Sequence, residues 1–205
     1  MALPLVILRA EFVGLIRRAR ELERSRSGIA AVEFALVLPL MLVLFFGLAE
    51  TTTAVTVDRK LTLLSRSLAD LSSRESEVLT ADMQTIFSAS SAIMRPYDAT
   101  QAQMVVSSVL VTQQGQNFTG KIDWSCGKNI PGTSNPKNLV VRPTASAYPV
   151  PDGFQSSNTK SFIVVETVYP YTSVFQQTMI GTKYLSETTP WPVRNNDKVK
   201  GPASC

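Results

Sequence analysis

The sequence predicts an α+β protein: a long N-terminal membrane-spanning helix continuing into an outer domain of helices plus a small antiparallel sheet. Three observations carry that expectation. Residues 29–49 are almost wholly apolar, a stripe of apolar residues at helical spacing follows, and the second half holds β-branched, alternating segments. Helices first and strands after is the segregated order of an α+β chain.

The chain begins with a basic leader at 1–28, which holds six arginines (Arg9, Arg17, Arg18, Arg20, Arg24, Arg26) against Glu11, Glu21 and Glu23. The chain's formal net charge is +4, so the leader carries most of the excess. A nearly neutral remainder argues against a nucleic-acid surface, which needs Lys and Arg clustered on the folded part. The apolar patch before Arg17 is interrupted by Arg9 and Glu11 and suits a short amphipathic helix on the membrane surface.

Residues 29–49 read IAAVEFALVLPLMLVLFFGLA, with Glu33 the one charge. A helix of that length spans about 30 Å, the thickness of a bilayer's hydrocarbon core. From Phe34 to Ala49 no polar residue recurs every three or four positions, as one face of a globular helix would require. The arginines lie before this segment and neutral to acidic residues after it, so the N-terminus is expected to be cytoplasmic and the body at 50–205 outside the inner membrane. A secretory cleavage site would follow the apolar stretch; here the small residues Ser27 and Gly28 precede it.

Beyond Glu50, Val57, Leu61, Leu64, Leu68 and Leu71 are spaced four, three, four, three, predicting that the helix continues with one stripe facing its own domain or partner helices. A break at 72–75 precedes a second helix, with Thr80 expected as N-cap and Asp82 in its first turn. Met83, Ile86, Phe87, Ser90, Ile93 and Met94 line one side, and Arg95-Pro96 ends it. Strands are expected at 104–112 and 121–126, separated by a turn around Gly115, with Ile122, Trp124 and Cys126 on one face. Prolines 131, 136, 143, 149 and 151 make 127–161 loop-like, with a short strand at 139–142. Residues 161–169 form the strongest strand, and 184–193 an edge strand limited by Pro190 and Pro192. Tyr169, Tyr171 and Phe175 are read as core and edge packing rather than a sticky surface patch.

Little here suits catalysis. There is no histidine, which removes Ser-His-Asp and Cys-His sites and the commonest metal ligand. No phosphate-cradling GxxxxGK[ST] loop is present, and Asp123, Asp152 and Glu166 are dispersed. No enzyme, cofactor or metal is expected. The two cysteines, Cys126 and Cys205, are read as one disulfide if the body lies in an oxidising compartment; the alternative is two unrelated thiols.

Glu33 is the odd residue. A carboxylate four positions inside an apolar helix costs about 2–3 kcal/mol unless it stays hydrated at the headgroups or meets a positive partner. Arg24-Ser-Arg-Ser-Gly28, followed by Ile29-Ala-Ala-Val-Glu33-Phe-Ala-Leu-Val-Leu-Pro39, resembles the prepilin signature of the TadE-like family, minor pseudopilins of tight-adherence (Flp-type) pilus systems. The resemblance covers about 25 residues and implies a pilin-like outer domain. It implies cleavage by a prepilin peptidase between Gly28 and Ile29, leaving Glu33 at mature position five as an assembly and register residue, with Pro39 kinking the membrane helix. The implied partners are the inner membrane, the peptidase and other pilins of the machinery. Very short family members stop soon after the membrane helix, whereas this chain has a substantial outer domain. The competing reading is an unprocessed single-pass envelope protein whose outer domain binds a partner or the cell wall.

Overall fold

A computed structural model describes residues 26–132, 137–172, 182–194 and 197–205, with side chains from Gly28 onward. Most of the basic leader, the apolar patch before Arg17, Pro136 and Phe175 lie outside the described residues. The chain divides into two compact units, Met1–Thr51 and Thr52–Cys205, and one helix contributes to both.

That helix, α1 (Arg26–Arg74), is continuous over 49 residues with Pro39 inside it. In the second unit its stripe is core: Val57, Leu61, Leu64 and Leu68 are completely buried. Leu71 departs from expectation and is exposed, while Ser72 is buried. A strict seven-residue stripe drifts around a 3.6-residue helix, so after Leu68 the inward position falls one residue later. The stripe ends where the helix does.

The second helix, α2, spans Thr80–Ser91, and a 3₁₀ turn at Ala92–Met94 prolongs it. Its N-cap is Leu79, not Thr80. The Asp82 carboxylate accepts the Leu79 amide at 3.0 Å, so an acid three residues inside satisfies the orphan donor from the other side. Thr80 is thereby free to donate its hydroxyl to the Ser204 carbonyl at 2.6 Å. Met83, Phe87, Ser90 and Met94 are buried, and Ile86 packs partly buried against the same core.

Among the described residues five antiparallel strands follow: β1 (Gln103–Gln114), β2 (Asn117–Lys128), β3 (Ala147–Tyr148), β4 (Ser161–Tyr171) and β5 (Lys183–Pro192). Their order in the sheet is β3-β2-β1-β4-β5, which puts β5, with Pro190 and Pro192, at an edge as proline requires. β1 and β2 join through a two-residue turn in which Gly115 takes φ 65°. The segment 139–142 forms no strand. Side chains replace a ladder there: Gln103 accepts the Leu139 amide at 2.8 Å and Ser125 the Arg142 amide at 3.2 Å. The outer partner of β2 is instead the short β3.

The face expected for β2 is also corrected. Ser108 pairs with Trp124 but Val109 pairs with Ile122, so Asp123 is an extra residue and β2 bulges. The bulge turns Ile122 to the opposite face from Trp124 and Cys126. Trp124 and Cys126 join the helix-side core with Leu61, Leu64, Met104, Ile163 and Val165. Ile122 joins Val109, Phe162 and Val164 on the other face, beneath Tyr148, Val150 and Phe154. Covered on both sides, β4 reads as a nearly unbroken apolar run, as two-sided burial demands.

Candidate functional site: an uncovered apolar helix and a strapped second unit

In the first unit, α1 presents large apolar side chains to its surroundings all round: Ile29 is 63% exposed, Leu36 74%, Val43 70% and Leu48 70%. A soluble helix that apolar would bury a face. Residues from Gly28 onward are long and apolar enough to cross a membrane. This is compatible with single-pass anchoring.

Glu33 is exposed on this helix, one turn after Ile29, so the two residues share a face. Pro39 supplies no amide, leaving the Ala35 carbonyl without its intrahelical donor. Past Ala49 the helix turns polar, and threonine hydroxyls bond back one turn: Thr51 to the Gly47 carbonyl and Thr56 to that of Thr52, each at 2.8 Å.

In the second unit, residues 197–205 form a strap that sequence reading did not foresee beyond its final cysteine. Cys205 is bonded to Cys126, with Cα atoms 5.4 Å apart. Lys200 forms a parallel bridge with Glu77. Its amide donates to the Ser76 carbonyl, and its carbonyl accepts from Val78, each at 3.0 Å. The Trp124 indole N–H donates to the Val199 carbonyl at 2.9 Å, and the Ser161 hydroxyl to the Asp197 carbonyl at 2.6 Å. Lys160–Asp197 and Lys198–Asp123 ion pairs flank it at 2.6 and 3.5 Å.

On the sheet's other side Arg142 holds Glu166 through both Nε, at 3.0 Å, and Nη2, at 2.5 Å. This hydrogen bond to Glu166 raises the guanidinium pKa. The guanidinium also lies 5.0 Å from the Tyr148 ring centroid. Burial raises the Tyr148 phenol above its ordinary value, reinforced by the Glu166 charge. Glu166, read as a dispersed acid, is therefore committed to Arg142. An open depression of about 360 Å³ lies beside the disulfide, lined by Trp124, Ser125, Arg142 and Cys205 among others. Ser125 there accepts the Arg142 amide and hydrogen-bonds Ser107 at 2.8 Å, and the Arg142 guanidinium is held by Glu166. Among the described residues no group of three or more acids or cysteines gathers to hold a metal ion. Tyr169 and Tyr171 are buried in the helix-side core.

Residues 28–70 match the family model of the TadE-like proteins, the family that the signature around Gly28 and Glu33 resembles. That stretch joins the apolar half of α1 to its buried stripe. No curated protein and no solved structure matches the chain.

Proposed function

We propose, with the TadE-like character of residues 28–70 as the premise, that the chain is a minor pseudopilin of a tight-adherence pilus. The TadE-like region ties it to such a system, whose family is structural rather than catalytic. On this reading residues 1–28 are a cytoplasmic leader and 29–49 span the bacterial inner membrane. The body at 50–205 is periplasmic, and reaches the extracellular pilus after assembly. A prepilin peptidase cuts after Gly28, and the subunit then packs with other pilins.

The observation that carries this reading is Glu33, exposed one helical turn from Ile29 on an uncovered apolar helix. Cleavage before Ile29 creates an α-ammonium at the start of that helix. When helices stack with an axial stagger, the glutamate of one copy meets the ammonium of another, and neither charge stays bare in hydrocarbon. Such a pair fixes register more than it adds stability. The carbonyl released at Pro39 is satisfied by neighbouring helices.

Intact mass of the protein extracted from membranes tests the claim. A chain starting at Ile29, and a Gly28→Leu variant that keeps its leader, are the expected results. Retention of 1–28 in the natural protein, with no effect of Glu33→Val on co-purification with pilus components, would leave the anchored envelope protein in its place.

A further inference from the structure

We propose that the strap at 197–205 is a redox latch, closed over Trp124 and the α1–α2 link by oxidation of Cys126 and Cys205 and opened by their reduction. Three observations carry it. The strap's one completely buried side chain is Val199. Its backbone-to-backbone bonds go to the link at 76–78, through single-bridge pairing at Glu77–Lys200 rather than an extended ladder, and its other main-chain contacts are single side-chain bonds from Thr80, Trp124 and Ser161. Its covalent fastener lies at its far end, on β2, a strand already held by β1 along its length.

The sheet does not depend on the strap for its pairing. β1 is bonded to β2 and β4 on both sides, and β4 to β5, without any strap residue. The second-face core of Val109, Ile122, Phe162 and Val164 contains no strap residue. Opening therefore uncovers Trp124, Val78 and Val199 and leaves the five strands paired. A chain still in a reducing compartment carries an open strap, and one exposed to a disulfide donor carries a closed one.

Closure is a thiol–disulfide exchange with a protein or small-molecule disulfide. One thiolate attacks the donor disulfide and forms a mixed disulfide, expelling a donor thiolate. The second cysteine thiolate then attacks that bond, forming Cys126–Cys205 and expelling the other donor thiolate. The two cysteines lose two electrons and two protons, and the donor becomes two thiols. Opening is the reverse, with a dithiol as reductant.

The test is amide hydrogen exchange resolved by residue, on the full chain in detergent micelles, oxidised and after dithiothreitol. Reduction is expected to speed exchange at Val78 and Lys200 at least tenfold while Val105 and Val165, in β1 and β4, stay protected. Cys205→Ser without reductant should match the reduced protein. Unchanged protection at Val78 and Lys200 would show that the strap stands without its bond. Loss of protection in β1 and β4 as well would make the disulfide a staple of the whole domain. Either result overturns the latch.

Discussion

Gly201 lies against Trp124 so closely that a β-carbon at that position would overlap the Cγ and Cδ1 atoms of the indole and the Cβ that carries it. The overlap is with the base of the side chain rather than a mobile tip, and Trp124 is pinned by its hydrogen bond to Val199. Gly201→Ala should therefore lift the strap or displace the indole, lowering stability by about 1–3 kcal/mol. Gly153→Ala is the control, since nothing lies within 4 Å of its added carbon. Thermal unfolding of both variants checks the difference.

Much of this architecture was legible in the sequence, and the failures have physical causes. The two helices and the strands flanking Gly115 follow from periodicity, which reports local burial well. The bulge at Asp123 does not, because an extra residue in a ladder changes no composition while reversing the face of Ile122. The 139–142 segment looks strand-like, yet its amides find Gln103 and Ser125, a long-range arrangement that no local pattern encodes. The strap was legible only at Cys205, since the roles of Val199, Lys200 and Gly201 depend on where Trp124 and the 76–78 link lie. The helix residues Glu33 and Pro39 stood out because each breaks the rule of its apolar surroundings.

The pair of Arg142 and Glu166 is a second test. The Glu166 side chain is only 12% exposed, so removing its partner strands a nearly buried carboxylate. Arg142→Ala should cost about 2–3 kcal/mol, and Glu166→Gln in that background should recover part of the loss by removing the unpaired charge. A double-mutant cycle in urea checks this. Equal losses in the single and double variants would mean that Arg142 acts through its contact with Tyr148 alone.

Alkaline pH offers a third. Burial raises the Tyr148 phenol in the folded state above its ordinary value of 10.0. The folded chain then holds the proton more tightly than the unfolded chain. The associated stability is fully present below the ordinary value and is lost as pH rises through the higher folded one. The melting temperature should thus fall as the pH rises above about 10. Tyr148→Phe keeps the ring against Phe162 and removes the ionising group, so its profile should fall less steeply.

The stripe on α1 makes the last prediction, because adjacent leucines have opposite fates. Leu64 is completely buried among the helix-side core, whereas Leu63 is 55% exposed. Leu64→Ala leaves a cavity between the helix and the sheet and should cost about 2–5 kcal/mol. Leu63→Ala removes no such packing and trades leucine for the residue with the best helix propensity, so its effect should stay within about 0.5 kcal/mol. The contrast also separates the two uses of the stripe. If Leu63→Ala leaves stability unchanged yet weakens co-purification with other pilins, the exposed side of α1 contacts partner helices while the Leu61–Leu64–Leu68 side holds the domain together. If Leu64→Ala alone disturbs assembly, the exposed side makes no contact, and its effect follows from loss of the fold.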